Sequence, residues 1–203
     1  MDTYKKQLID EQIIPFFNQP STDEKLINSL YVMCHLHTAI GRQILERPGS
    51  FEEGRLWFSV DSMVQAYYYC KNKQCKWGTR IWKKREFAID SSSFLHKEPR
   101  TDYIEILEAG EVLSIAFTDL LKLMDAHPVI KAKVQEITAC NERYYHYRTQ
   151  LLNKPPLQRV QEFEAENPLF IKVAGKEAVA MHVSLTRQGY YAQLKKMAFA
   201  EID

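Results

Sequence analysis

The sequence is poor in glycine and cysteine and has no long apolar segment. Of its 203 residues, 7 are glycine and 4 are cysteine, and no two cysteines have the C-x-x-C spacing of common zinc sites. We therefore expect no metal site, and reduced thiols of the kind found in cytoplasmic proteins. No apolar run approaches the roughly 20 residues of a membrane-spanning helix, so we expect no membrane partner. The first residues, MDTYKKQLIDEQ, lack the apolar stretch of a secretory signal.

An excess of charge of one sign is missing as well. Lysine and arginine number 27, while aspartate and glutamate number 26. The chain as a whole therefore has no basic field, and any surface for nucleic acid must be local. Enzyme motifs are also absent, since there is no nucleophile elbow, no Walker loop and no dinucleotide-binding GxGxxG. We expect no catalytic residues and a protein that is not an enzyme.

The residues that are present predict an α+β fold. Residues 2–45 have helical periodicity interrupted at Pro20, and Ser21 stands at capping-box spacing from Glu24, so two helices should precede the first strand. From residue 51 to 115, short β-branched and aromatic runs alternate with turn residues. This alternation of apolar runs and turn residues predicts an antiparallel β-roll or sandwich.

Two pairs of residues in these segments could bind a metal or respond to oxidation. His35 and His37 have i, i+2 spacing, which places them on different faces of the predicted helix and argues against a shared metal. Cys70 and Cys75 flank a predicted turn, KNKQ, and could approach each other in a hairpin. Free thiols are the expectation for these two in a cytoplasm, and a redox switch is the alternative.

A long helix follows the β region. It begins with a first-turn proline at Pro128 and continues to about residue 152, where NKPPL breaks it. Its apolar positions form one stripe along its length, namely Val129, Ile130, Val134, Ile137, Cys140, Tyr144, Tyr147 and Leu151. Such a stripe predicts pairing with the same helix of a second chain, and packing on its own β-roll is the alternative.

The last 50 residues contain three short helical patterns, which is the skeleton of a helix-turn-helix. Ala180 is small enough for a close helix crossing, Val183 and Leu185 can bury the turn, and Thr186 can cap the next helix. Arg187 and Gln188 then point outward, and Arg suits guanine while Gln suits adenine in the major groove.

The charge of the C-terminal segment also favours binding of nucleic acid. The segment from Lys172 to Lys196 contains five basic residues and one acidic residue, so its net charge is five minus one, or +4. Such a segment attracts phosphate. A mildly basic solvated helix pair is the alternative interpretation.

The same residues carry a family resemblance. RQGYYAQLKKM after VAMHVSLT resembles the recognition-helix segment of Crp/Fnr-type transcription regulators, and residues 87–128 resemble the end of their ligand domain. The resemblance extends over about residues 40–196. It implies a cyclic-nucleotide-binding-type, jelly-roll-like β-roll over residues 1–127, a dimerisation helix over 128–153 and a helix-turn-helix domain over 154–203. It also implies that double-stranded DNA contacts Thr186, Arg187, Gln188, Tyr190, Tyr191, Lys195 and Lys196.

In that family an acid ten positions before Arg-Ser or Arg-Thr binds a cyclic nucleotide. Asp90 and Arg100-Thr101 stand at this spacing, so the resemblance implies a ligand site for a cyclic nucleotide or another small anionic effector at Asp90, Ser91, Arg100, Thr101, Tyr145 and His146. Two departures argue against a nucleotide: Ile89 replaces the usual glycine and Ser91–Ser93 replace apolar residues. The alternative for Arg100 is a surface ion pair with Glu98 or Asp102.

Together these features predict a cytoplasmic, homodimeric DNA-binding regulator of the Crp/Fnr type. In this interpretation an effector in the β-roll would rotate the long helices. Gly189, Ala192 and Ser184 depart from the family at the DNA-binding segment. They keep open an alternative function, a degenerate cyclic-nucleotide domain that acts as an interaction or structural module without DNA binding.

Overall fold

The computed structural model describes residues 3–17, 23–72 and 74–200. The α-helices within these ranges are α1 (Thr3–Leu8), α2 (Glu24–Met33), α3 (Ser91–His96), α4 (Phe117–Ala126), α5 (Pro128–Leu152), α6 (Pro156–Glu166), α7 (Pro168–Val173), α8 (Lys176–His182) and α9 (Arg187–Ala200). A π-helical segment, Ile9–Ile13, follows α1, and 3₁₀ turns lie at Pro15–Phe17 and Phe51–Glu53. In this described part, no helix is both long enough and apolar enough to cross a bilayer.

The strands are antiparallel where their register is defined. They are β1 (His35–Ala39), β2 (Ile44–Glu46), β3 (Arg55–Ser59), β4 (Val64–Cys70), β5 (Cys75–Trp82), β6 (Phe87–Ala88), β7 (Tyr103–Ile106) and β8 (Gly110–Ala116). Among the described residues these strands form two four-stranded sheets, one in the order β1-β8-β3-β6 and one that contains β2, β7, β4 and β5. In the first sheet His35 faces Ser114 and Trp57 faces Ser114 from the other side. The predicted α+β fold with an antiparallel β-roll is confirmed.

The chain divides into two compact units. The first unit comprises Met1–Val64 and Trp82–Cys140, and the second comprises Gln65–Ile81 and Asn141–Asp203. The second unit therefore combines the β4–β5 hairpin with the helices α6 to α9. The domain limits expected at residues 128 and 154 stay a prediction.

The core of the first unit lies between one face of the first sheet and the surrounding helices. Leu56, Phe58, Leu113 and Ile115 alternate along β3 and β8, so their side chains point to this same face. Residues of α2, α4 and the first half of α5 cover them, including Leu30, Leu120, Leu123, Ile130, Val134 and Ile137. Burial of this apolar surface is the main force that holds the helices on the sheet.

Two local predictions are wrong, and a third involves residues that the structure does not describe. The second helix ends at Met33 and is followed by strand β1, so the helical prediction up to residue 45 is wrong. Because residues two apart on a strand share a face, His35 and His37 lie on the same face and not on different ones. Pro20 and Ser21 lie outside the described residues, and Asp23 caps α2 by accepting hydrogen bonds from the N–H groups of Lys25 and Leu26, each at 3.1 Å.

The C-terminal segment contains an additional helix. Three helical patterns were expected after residue 153, whereas the described residues form α6, α7, α8 and α9. Pro168 opens the additional helix α7, and a proline at this position is compatible with the free N–H groups of a first turn.

The apolar stripe of the long helix is buried within its own chain. Ile130 and Val134 are 1% and 3% exposed in the first unit, and Leu151 is 1% exposed in the second. In the first unit the stripe packs on the β-roll, which is the alternative interpretation left open by the sequence, and Leu151 is buried in the second unit. Any pairing of this helix with a second copy has to use another face.

Candidate functional site

Asp90, the acidic residue of the resemblance to the nucleotide cassette, caps a helix. It follows strand β6 and immediately precedes α3, and its carboxylate accepts a hydrogen bond of 3.0 Å from the N–H of Ser93. Aspartate is favoured at this position because its short side chain reaches the free N–H groups of the first turn. Ser91 begins the helix and is fully buried. The carboxylate of Asp90 is thus already engaged by the backbone of its own helix.

Arg100 is buried and holds three oxygen partners. Its Nη1 lies 3.1 Å from Oε1 of Glu46, and its Nη2 lies 3.1 Å from Oε2 of Glu53. Its Nε donates a hydrogen bond of 2.9 Å to the carbonyl oxygen of Ser50. Only 4% of the Arg100 side chain is exposed. The positive charge that would attract a phosphate is neutralised inside the protein.

The partners of Arg100 differ from those considered from the sequence. Glu98 and Asp102 are its neighbours along the chain, but the ion pairs are made with Glu46 and Glu53, which are far away in sequence. A surface pair of the kind expected contributes little to stability, whereas the Arg100–Glu46 pair is almost completely withdrawn from water.

Glu46 is the buried acid of this cluster. Its Oε2 accepts hydrogen bonds from Nε1 of Trp57 at 2.8 Å and from the N–H of Arg55 at 3.1 Å. Burial raises the pKa of Glu46, while the hydrogen bond from Trp57 and the charge of Arg100 act in the opposite direction. Buried carboxylates require such partners, because an unpaired one would carry a large desolvation penalty.

Backbone contacts bring Arg100 and its partners together. Gly49 and Arg100 exchange two hydrogen bonds, of 3.2 Å and 2.8 Å, in an isolated antiparallel bridge. A Cβ atom at Gly49 would lie 2.7 Å from Nη2 of Arg100 and 2.8 Å from Oε2 of Glu53. Any larger residue at this position would therefore force the Arg100 and Glu53 side chains to shift. The sequence marks this loop only by the turn-forming Pro48–Gly49 pair, which does not reveal the partners of Arg100.

The remaining residues of the predicted ligand site belong to other segments of the chain. Thr101 is exposed and donates a hydrogen bond of 3.1 Å to Asp102. Tyr145 is half-buried on α5, and the exposed His146 has its Nε2 3.0 Å from Nε2 of Gln150. Tyr145 and His146 belong to the second unit and Arg100 to the first. Their participation in one ligand site stays a prediction.

The turn between α8 and α9 has the geometry of a helix-turn-helix. Val183 is fully buried and caps the carboxyl end of α8, and Ser184 adopts a left-handed conformation with φ of 54°. The N–H of Leu185 then donates a hydrogen bond of 2.9 Å to the carbonyl of Ala180. Glycine is the usual residue at a left-handed turn position. Ser184 therefore adopts, with some strain, a backbone conformation that glycine would adopt freely.

Thr186 begins the last helix as its capping residue. Its Oγ1 accepts a hydrogen bond of 3.0 Å from the N–H of Gly189, which satisfies one of the free donors of the first turn. The capping role predicted for Thr186 is confirmed. The side chains of Arg187 and Gln188 follow directly and are exposed.

One face of α9 is exposed and basic. Each residue of an α-helix is rotated by about 100° from the previous one, so positions 187, 188, 191, 195 and 196 fall within one half of the helix. All of them are exposed, namely Arg187, Gln188, Tyr191, Lys195 and Lys196. The guanidinium of Arg187 lies 5.7 Å from the ring of Tyr191. The helix sequence RQGYYAQLKKMAFA contains no acidic residue.

Tyr190 is an exception among the predicted DNA contacts. It has no exposed surface, and its hydroxyl donates a hydrogen bond to the carboxylate of Glu164 on α6. Burial raises its pKa, and the Glu164 carboxylate adds to this effect. The prediction that Tyr190 contacts DNA is therefore wrong, because this side chain packs α9 against α6.

His182, which the sequence did not single out, is the buried centre of the second unit. Its Nε2 lies 3.2 Å from Oε1 of Gln65 on the hairpin, and its ring packs between Phe163 and Phe170 at centroid distances of 6.0 Å and 5.1 Å. A Cβ atom at Gly78 would lie 2.4 Å from Nδ1 of this ring. Burial, aided by the charge of Arg148, lowers the pKa of His182 to about 3.

Comparisons with known proteins agree on the fold but find little sequence similarity. No protein-family model matches the chain, and no curated protein is significantly similar to it in sequence. Among solved structures, the c-di-GMP-responsive global regulator CLP of Xanthomonas campestris superposes with a TM-score of 0.72 at 14% identity, covering 88% of this chain and 93% of CLP. A Crp/Fnr-family transcriptional regulator of Eubacterium rectale gives 0.74 at 11% identity, over 92% of this chain and 87% of its own.

FixK2 of Bradyrhizobium japonicum is a third similar structure, with a TM-score of 0.68 at 13% identity over 83% of this chain and 86% of FixK2. At such identities the agreement concerns the fold. The chain has the fold of the Crp/Fnr-family transcriptional regulators.

Proposed function

We propose that this protein is a dimeric transcription regulator of the Crp/Fnr type that binds double-stranded DNA through helix α9. The observation that carries the proposal is the exposed face of α9, on which two lysines, one arginine and one glutamine stand without an acidic neighbour on the helix. The fold shared with Crp/Fnr regulators supports it. Such a protein acts in the compartment that holds the DNA, the cytoplasm, and needs no catalytic residues.

The chemistry of this face suits a major groove. Arg187 and Gln188 stand in the first turn, where the recognition helix of a helix-turn-helix contacts base edges. Arginine can donate two hydrogen bonds to guanine, and glutamine can pair with two groups of adenine. Lys195 and Lys196, two turns later, are placed for phosphates. Thr186 at the amino-terminal cap can donate to a phosphate from the same end of the helix.

The proposed dimer uses the free face of α5. Its exposed residues at alternating three- and four-residue spacing are Ala132, Gln135, Ala139, Glu142 and His146. This spacing is the heptad pattern of paired helices, and the alanines allow two helices to approach closely. Two helix-turn-helix modules on such a dimer can engage half-sites about one helical turn of DNA apart, roughly 34 Å.

We further propose that DNA binding does not depend on a cyclic nucleotide. The guanidinium of Arg100, which would receive the phosphate, is already paired with Glu46 and Glu53. Only 4% of the Arg100 side chain is exposed, and an anionic ligand that replaced its buried partner Glu46 would leave that carboxylate unpaired, which is strongly unfavourable.

A DNA titration tests the main proposal. Binding of the full chain to a random-sequence duplex is measured by fluorescence anisotropy at several salt concentrations for wild type, Arg187→Ala, Lys195→Ala and Lys84→Ala. Lys84 is exposed in the first unit and serves as the matched control, because its loss changes net charge equally. We expect the affinity to fall steeply with salt, and Lys195→Ala to reduce the slope of log K against log salt by about one.

Two results would contradict the proposal. If the folded protein does not bind at low salt, or if Lys84→Ala weakens binding as much as Arg187→Ala and Lys195→Ala do, α9 is not a DNA-binding element. The alternative function as an interaction or structural module would then explain the fold better.

A further inference from the structure

The β4–β5 hairpin carries one cysteine at each end of its loop. Strand β4 ends at Cys70 and strand β5 begins at Cys75, and the two strands are neighbours in their sheet. In the loop, the N–H of Gln74 donates a hydrogen bond of 3.4 Å to the carbonyl of Lys71, which closes the turn. Both thiols are reduced and half-buried.

The contacts of His182 and the strand bounds together restrict the register of this hairpin. Gln65 on β4 and Gly78 on β5 both face the His182 ring, so they lie on the same face of the hairpin. If Cys70 is opposite Cys75, Tyr67 is opposite Gly78, and Gln65, two residues away, shares their face. A shift by one residue would place Gln65 and Gly78 on opposite faces, whereas a shift by two would keep them on the same face. The strand bounds favour the register in which Cys70 and Cys75 are opposite each other, because β4 ends at Cys70 and β5 begins at Cys75.

Directly opposite residues of antiparallel strands have Cα atoms about 4.5 or 5.5 Å apart, depending on the kind of pair. Disulfides accept Cα separations of about 4.4 to 6.8 Å. The hairpin can thus accept a disulfide between these positions without moving its strands. Cross-links of this kind at a partly exposed position are more easily reduced than buried structural ones.

The other cysteines have different surroundings. Cys34 is 1% exposed in the core of the first unit, and burial raises the pKa of its thiol to about 12. Such a thiol is protected from oxidation because the reactive form is the thiolate. Cys140 lies on α5, far along the chain from the hairpin.

We propose that Cys70 and Cys75 are a reversible redox pair that hydrogen peroxide converts to an intramolecular disulfide. One thiolate attacks a peroxide oxygen, the O–O bond breaks, and water and a sulfenic acid form. The second thiolate then attacks the sulfenic sulfur, the S–O bond breaks, the S–S bond forms, and the departing hydroxide takes a proton to give a second water. Two electrons pass from the two thiols to the peroxide. A low-molecular-weight thiol reverses the reaction by exchange.

The disulfide would act on the structure that surrounds His182. The same two strands place Gln65 against its ring and Gly78 beneath it, and His182 is the last residue of α8. Closing the hairpin covalently removes conformations in which β4 and β5 separate. Oxidation therefore stabilises the packing of α8 on the hairpin against local opening.

The test oxidises the full chain with hydrogen peroxide, blocks remaining thiols with iodoacetamide and maps tryptic peptides by mass spectrometry. Cleavage after Lys71 separates the two cysteines, so a cross-link appears as two joined peptides that dithiothreitol releases. Cys140→Ser is the matched control and should form the bond as wild type does. In Cys75→Ser the sulfenic acid at Cys70 has no partner and should be trapped by dimedone. Circular dichroism verifies that each variant is folded.

Hydrogen exchange provides the second readout. We expect amides of β4, β5 and α8 to exchange about tenfold more slowly in the oxidised protein, and at the original rate after dithiothreitol. Independent alkylation of both cysteines after peroxide, separate conversion to sulfinic acids, or a bond formed only between two chains would overturn the proposal. An unchanged exchange rate in α8 despite a complete cross-link would overturn its structural consequence.

Discussion

At the scale of single residues, His182 shows how burial decides chemistry. Its ring is 1% exposed, has two aromatic neighbours and lies near the positive charge of Arg148. The ring must therefore be neutral in the folded protein, and its pKa of about 3 is far below the ordinary value of 6.5. A group whose pKa is lower in the folded than in the unfolded chain stabilises the fold at pH values above its pKa in the unfolded chain. This contribution is lost as the pH falls toward the pKa of the folded state.

The direction of this pH dependence leads to a prediction for His182→Gln. Between about pH 8 and pH 5, protonation of His182 in the unfolded chain should remove about 2 kcal/mol from the free energy of unfolding of wild type. His182→Gln lacks this titration, so its free energy of unfolding should fall by that much less over the same range. Urea unfolding at the two pH values measures both slopes.

The control for this experiment is His96→Gln, since His96 is exposed in the first unit. Its pH slope should equal that of wild type. Equal slopes for wild type and His182→Gln would mean that His182 does not titrate as a buried ring.

At the scale of elements, the long helix α5 has two different faces. The apolar face is used inside the chain, where Ile130, Val134 and Leu151 are buried. The free face presents Ala132, Gln135, Ala139, Glu142 and His146 at heptad spacing. A seam that is small and polar gives less association energy than an apolar one, so the proposed dimer should be sensitive to single changes at the alanines.

Ala139→Glu tests this face. A carboxylate at the centre of a two-fold seam meets its own copy, and the cost of bringing both out of water should weaken the dimer at least tenfold. Sedimentation velocity over a concentration series measures the change. Ala126→Glu adds the same charge at an exposed position on α4 and should leave association unchanged. Equal effects of the two substitutions, or none from Ala139→Glu, would exclude this face as the dimer contact.

At the scale of the whole molecule, the β-roll fold contains an arginine, Arg100, whose charge is already paired with two carboxylates. Arg100, Glu46 and Glu53 form a cluster that leaves no unpaired positive charge at this arginine. A domain with this fold need not carry a nucleotide, because the fold positions residues and the residues determine binding.

We therefore expect cyclic AMP, cyclic GMP and cyclic di-GMP to leave the Tm of the protein unchanged and its affinity for DNA within about twofold. A ligand that binds the native state must raise Tm by mass action, so differential scanning fluorimetry over a ligand series is sufficient. Glu53→Gln is a useful companion, because it removes the exposed partner of Arg100 and keeps the buried one. A saturable rise in Tm of wild type with any of these nucleotides would contradict the expectation.

The sequence predicted those features that depend on neighbouring residues. The cap of α9 at Thr186 and the start of α5 at Pro128 both follow from short-range geometry, and the structure contains them. The resemblance of the sequence to Crp/Fnr regulators likewise predicted the fold, because it depended on the order and spacing of elements.

Contacts between distant segments were decided by the tertiary structure alone. Arg100 meets Glu46 because an antiparallel bridge joins Gly49 to it, and nothing in the local sequence marks that partner. Tyr190 and Arg187 look alike as polar residues of one helix, yet packing on α6 buries the first and leaves the second in water. Periodicity and capping are properties of a few adjacent residues, whereas burial and ion pairing depend on which surfaces the folded chain brings together.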